Sequence, residues 1–199
     1  MKIFKLSILK TIWYSIKFKS KILVGKRCKI YLKKGSKIIV KNGVLRIGIE
    51  HNTLVHTILE INESGILNID GNVSIGKGCK VVIANRAKLE INNDSYINEC
   101  SKIVCLKNIH IGKKCAISWG VNILDTDYHY LIKKGIKNVK EKNIYIDNHV
   151  WIGCNSTILK GSFIGENTVI SANSLVNSKI KKNGLFINGV FKEGYNWSK

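Results

Sequence analysis

Between Ile146 and Val176 an aliphatic side chain returns at every sixth position: Ile146, Ile152, Ile158, Ile164, Ile170, Val176. Four places after each of the first five stands a small or slender residue: Val150, Ser156, Ser162, Thr168, Ser174. The register breaks only afterwards, at Ile180, and Gly153 and Gly165 directly follow their aliphatic residues. A six-residue period fits neither an α-helix nor a single strand. It fits a chain that makes one short strand and one corner per hexapeptide, so that three hexapeptides close a coil of about 18 residues. Coils of this kind stack at about 4.8 Å, the spacing of neighbouring strands. The period therefore predicts that Ile146 lies against Ile164, Ile152 against Ile170, and Ile158 against Val176. The fold class expected is all-β, a parallel β-helix.

Upstream the same beat runs through Ile69, Ile75 and Val81, through Ile91, Ile97 and Ile103, and through Ile111, Ile117 and Ile123. It slips near residues 87–90 and 107–110, where a coil must hold extra residues. Residues 22–70 carry a weaker beat (Val24 to Ile30, Leu32 to Ile38), as terminal repeats commonly do. The beat is lost over residues 124–143 and resumes at Ile144–Ile146, so that stretch is read as an inserted loop. Three regions follow: residues 1–21, a solenoid over 22–185 with the loop 124–143 inserted, and a tail over 186–199. The chain has no proline, which leaves its corners to Gly, Asn, Asp and Ser.

The formal net charge is +20. An anionic small ligand or acidic polysaccharide, an anionic membrane surface, and a merely lysine-rich solvated surface all accommodate it. Nucleic acid is not expected as a partner, because the lysines are scattered and no helix-turn-helix, zinc-finger or base-stacking motif is present. Of the six cysteines, Cys28, Cys79 and Cys115 occupy the small fifth place of a hexapeptide, and no CxxC pair exists. They read as reduced packing residues of a cytoplasmic protein. His51 and His56 stand five apart, a spacing also used by zinc-binding β-helix enzymes. The third histidine such a site needs is missing upstream, so no metal is expected.

Residues 1–21 alternate apolar side chains with lysine. They contain no run near the 18 or so apolar residues of a membrane span, and no small-residue cleavage site. They predict a short basic amphipathic helix. It has two open roles: peripheral contact with the inner face of a membrane, or a cap on the open end of the solenoid.

The inserted loop contains Asp125-Thr126-Asp127-Tyr128-His129, the densest group of acid–base side chains in the chain. A histidine exchanges protons near neutral pH. A neighbouring carboxylate, Asp125 or Asp127, can set its tautomer or hold a substrate hydroxyl. With no serine or cysteine at a nucleophile elbow, the pattern favours His129 as a general base for direct attack by an acceptor. A solvated surface histidine is the bland alternative.

The combination of ILDTDYH, IDNHVWIGCNSTILKG and IGENTVISANSLV resembles the hexapeptide-repeat, left-handed β-helix acyltransferases, most of all those that O-acetylate surface polysaccharides. The resemblance covers about residues 69–192. It implies a left-handed coil, a homotrimer with sites between subunits, acetyl-CoA as donor and a carbohydrate acceptor. It matches His129 to the catalytic base and Trp151 to a tryptophan lining the acceptor and pantetheine region. Cys154 and Ala172 match positions whose backbone meets the pantetheine arm, and Asn177 and Ser178 match positions further along the same path. The segment Phe186–Lys192 departs from the usual proline-containing pattern, which leaves Lys192 as a candidate for the nucleotide phosphates, with Lys179, Lys181 and Lys182 as alternatives. Two further functions stay open here: N-acetylation of an amino sugar on a nucleotide or lipid carrier, and a non-catalytic scaffold.

Overall fold

The computed structural model describes residues 6–49 and 55–198. His51, one of the paired histidines, lies outside the described residues. After helix α1 (Ile8–Phe18), the chain winds through three parallel sheets in strict rotation, the order of a β-helix. Among the described residues the sheets hold nine, seven and seven strands. The first face includes Ser95–Ile97, Ala116–Ile117, Trp151–Ile152 and Thr168–Ile170. The second includes Asn122–Leu124, Thr157–Leu159 and Leu175–Val176. The third includes Asn108–Ile111, Ile144–Ile146 and Phe163–Ile164.

The stacking expected from the six-residue beat is present: Ile146 pairs with Ile164, Ile152 with Ile170, and Ile158 with Val176. Each of these side chains is fully buried, and together with the upstream aliphatic columns they form one continuous core. The hydroxyls at the fifth places are buried too, and those of Ser156, Ser162 and Thr168 donate to the backbone of a later coil, while Ser174 Oγ meets Ser171 Oγ at 3.0 Å. Ser156 Oγ reaches the Ser171 carbonyl at 3.0 Å, Ser162 Oγ that of Val176 at 3.0 Å, and Thr168 Oγ1 that of Lys181 at 2.8 Å. A slender residue is needed there for room, and a hydroxyl also satisfies a carbonyl at a corner where the ladder is interrupted. Cys28, Cys79 and Cys115 are buried at equivalent places, and burial pushes the Cys28 thiol up to about 12.

The slips in rhythm are coils of unequal length. Ile75, Ile97 and Ile117 stack in register across 22 and 20 residues, whereas Ile152 and Ile170 are 18 apart and Ile164 and Ile180 only 16. The corners are made largely by residues in the left-handed region, among them Asn155, Asn167, Asn173 and Asn183. Asparagine tolerates this conformation best after glycine, which explains how a chain without proline turns so often.

At one end α1 lies across the first coil, and its side chains satisfy exposed strand groups. Thr11 Oγ1 accepts from the Val24 N–H at 3.0 Å and Ser15 Oγ from that of Ile22 at 3.2 Å. At the other end Gly184–Ile187 turns back on itself through Asn188 and Gly189, both at positive φ, and pairs antiparallel with Val190–Glu193. This is a two-residue hairpin of the kind an Asn-Gly pair favours. No helix among the described residues is long and apolar enough to cross a membrane.

Candidate active site

The inserted loop leaves the solenoid between the second and third faces. Its base is closed by backbone bonds. Asp127 N–H donates to the Lys140 carbonyl at 3.1 Å, Lys142 N–H donates to that of Asp125 at 3.0 Å, and Thr126 bridges Glu141. Beyond the base the chain forms a small hairpin, Ile132–Lys133 against Ile136–Lys137.

Asp125 is buried at the root of the loop. Its two carboxylate oxygens accept from the amides of Leu106 at 2.7 Å and Lys107 at 2.8 Å, on the coil before. Burial pushes its carboxyl above the ordinary carboxylate range, and those two amides oppose the shift. The hydrogen bonds turn this carboxylate toward the coil backbone. Asp127 is half-buried and forms an ion pair with Lys160 at 2.5 Å, while Asn138 Nδ2 donates to the same carboxylate oxygen at 3.3 Å. Lys160 also donates to the Val139 carbonyl, so one ammonium ties both arms of the loop to the solenoid. Tyr128 follows at φ 59°, its amide donating to Thr126 Oγ1 at 2.9 Å. The sharp turn ends at His129, which is exposed and which no hydrogen bond among the described residues ties down. Within one chain, then, both aspartates act on the loop's own frame.

A second cluster lies at the corner after the first face. Trp151, Cys154 and Ala172 line one groove of about 360 Å³, together with Trp119, Val169 and Leu185. Trp151 points outward because its neighbour Ile152 points in, as alternation along a strand requires. Its indole N–H donates to Ser118 Oγ at 3.1 Å, which holds the ring along the groove wall. Gly153 forms the floor, where an added Cβ would stand 2.4 Å from the Ala172 nitrogen. The groove is mostly apolar, with backbone and hydroxyl groups at its edge, and suits a slender thiol-bearing arm.

Asn177 and Ser178 lie elsewhere, exposed at the corner between the second and third faces. That is the corner from which the loop emerges. Lys192 is exposed on the terminal hairpin and pairs with Leu185, a groove residue. The six residues matched to the donor path therefore divide. Trp151, Cys154 and Ala172 share a groove, Lys192 sits beside it, and Asn177 and Ser178 share the loop's corner. In one chain the second face separates His129 from the groove.

Three contributors escaped the sequence reading. Lys160 was one lysine among many. Ser118 had no motif. Trp197, in the tail, stacks on His149 at 4.4 Å and donates its indole N–H to the His149 carbonyl at 2.9 Å. A wider depression of about 520 Å³ lies on the earlier coils of the first face, lined among others by Arg46, Asp94, Tyr96, Lys114 and His149.

No protein-family model matches the chain. It is 32% identical over 185 residues to the "uncharacterized 24.8 kDa protein in cps region" of Klebsiella pneumoniae, covering 92% of this chain and 82% of that protein. It is 30% identical over 145 residues to the polysialic acid O-acetyltransferase of Neisseria meningitidis, covering 56% of this chain and 67% of the relative. Among solved structures it is similar to a variant of AntD, an N-acyltransferase from Bacillus cereus in complex with dTDP-4-amino-4,6-dideoxyglucose and coenzyme A. The TM-score is 0.61 at 19% identity, with 99% of this chain and 92% of that chain covered. At that identity the likeness is one of fold.

Proposed function

This chain belongs to the hexapeptide-repeat acetyltransferases and is an acyltransferase, and on that premise we propose that it transfers an acetyl group from acetyl-CoA to a sugar hydroxyl of a bacterial surface polysaccharide or its precursor. The observation that carries the donor half is the convergence of Trp151, Cys154 and Ala172 on one groove. The Neisseria relative supports the acceptor class, and the fold likeness to a coenzyme A complex supports the donor. The wide depression with Arg46 and Lys114 suits an anionic glycan.

In this reading His129 accepts the proton of the acceptor hydroxyl as its oxygen attacks the thioester carbonyl. The tetrahedral adduct then collapses, the C–S bond breaks, and His129 returns the proton to the departing thiolate. The proton that leaves the hydroxyl is the one the thiolate receives, so a single base suffices. Asp127, held by Lys160, keeps the turn that presents His129, and Asp125 anchors the root of that turn. The separation of His129 from the groove within one chain is met by a homotrimer, in which the loop corner of one subunit faces the groove of the next. The same arrangement brings Asn177 and Ser178 to the donor.

The test has two steps. Calorimetric titration with acetyl-CoA, with free CoA as control, is expected to saturate near one per chain. His129→Ala is expected to keep that binding while turnover on a glycan acceptor falls by about 10²–10⁴-fold. Normal turnover in the variant would remove His129 from the mechanism. A product label stable to mild alkali would identify an amide and redirect the acceptor to an amino sugar.

A further inference from the structure

An amphipathic helix on a protein surface ordinarily turns its apolar stripe to the core. Helix α1 does the reverse. Three of its four polar side chains, Lys17 being the exception, face the solenoid: Thr11 and Ser15 bind the first strand, and Lys10 Nζ donates to the Cys28 carbonyl at 2.7 Å. Tyr14 and Phe18 pack only partly against the core. Its most apolar side chains point away, Leu9 at 84% exposure, Ile16 at 72% and Ile8 at 68%, with Ile12 and Trp13 also exposed. Four of these, with Lys17, line a shallow apolar depression of about 330 Å³, and the Lys17 ammonium sits 4.6 Å over the Trp13 ring.

The charge is distributed to match. Residues 1–49 contain fourteen Lys and Arg and no Asp or Glu, so every acidic residue of the chain lies from Glu50 onward. Lys17, Lys19, Lys21, Lys29 and Lys33 are exposed on α1 and on the coil beneath it. A second copy placed on this face would set these cations against their equals. A layer of anionic headgroups meets them with opposite charge, while its acyl boundary receives the apolar side chains. No described helix is long and apolar enough to cross a membrane, so such a layer could hold α1 only on its surface.

We infer that this end of the molecule docks on an anionic lipid bilayer, with α1 lying in the plane of the interface and its outward apolar face in the acyl boundary. The inference stands on α1 and the charge distribution, and does not depend on the reaction proposed above.

The experiment is flotation of the full chain with vesicles of phosphatidylcholine alone, and with vesicles containing about a third phosphatidylglycerol. Binding to the anionic vesicles only, weakened by high salt, is the expected result. Leu9→Glu together with Ile16→Glu alters two exposed side chains and is expected to weaken binding by about tenfold or more at an unchanged melting temperature. Brominated acyl chains are expected to quench wild-type tryptophan emission and to lose that effect in Trp13→Phe, which decides the matter should the double variant misfold. Equal flotation with neutral vesicles, absence of flotation, or no loss in the variants overturns the inference. So does a fall in lipid-free particle mass on the double substitution, which would make this face an interface between copies.

Discussion

Asp125 shows how a single buried side chain can fix the root of a loop. Its carboxylate caps two amides of the preceding coil just where the chain leaves the solenoid. Asp125→Ala leaves both part-buried donors without their acceptor, and a loss of about 1 kcal/mol is expected in chemical denaturation. Asp125→Asn retains one acceptor and should fall between. Lys160 is the complementary case. Lys160→Met removes the ammonium that holds Asp127 and the Val139 carbonyl, so the loop should loosen while the core is unaffected. The expected readout is faster proteolysis within residues 130–140 and lower turnover, with acetyl-CoA binding kept. The aspartates were visible in the sequence as a cluster beside His129. That their partners are backbone amides and a distant lysine was not, because those contacts join residues about one or two coils apart.

At the scale of the element, the coil is the unit, and its tolerance is set by close approach. Gly153→Ala would press a methyl group against the Ala172 backbone. Backbone of the next coil cannot move aside as a side chain can, so a cost of about 1–3 kcal/mol is expected in thermal or urea unfolding, with weaker donor binding alongside. On the third face, Glu90, His110, Tyr145 and Phe163 occupy one outward column, with His110 stacked on Tyr145 at 4.5 Å and Tyr145 on Phe163 at 5.4 Å. Burial holds His110 below its ordinary 6.5, although Glu90 pulls the other way. The unfolded chain therefore takes up a proton there before the folded one does. The stability contributed by neutral His110 is complete above pH 6.5 and is lost as pH falls through the lower folded-state value. His110→Phe, which keeps the stack, should flatten the melting temperature across that acidic window relative to the wild type.

Over the whole molecule, two properties run along the solenoid axis: a charge gradient and a division of labour. The first 49 residues are wholly basic among their charged side chains, and they carry the inverted helix. The later coils carry the loop and the groove, on corners separated by the second face. The trimer proposed to reunite them predicts a particle of three chains by sedimentation. A stable monomer with full turnover would contradict it.

What the sequence determined by itself is the core and its stacking. One aliphatic residue per strand, repeated at the length of strand plus corner, specifies which side chains lie above which. That information is local and periodic, so the stacking of Ile146 on Ile164 is legible in the sequence. Trp151, Cys154 and Ala172, which the family resemblance names together, line one groove. Tertiary structure alone decided the contacts that cross coils of unequal length: Trp151 to Ser118, Trp197 to His149, Asp125 to the Leu106 amide. It also decided the direction α1 faces. The helical pattern shows two sides, and only the unpaired groups of the first strand, which Thr11 and Ser15 satisfy, make the polar side the inner one.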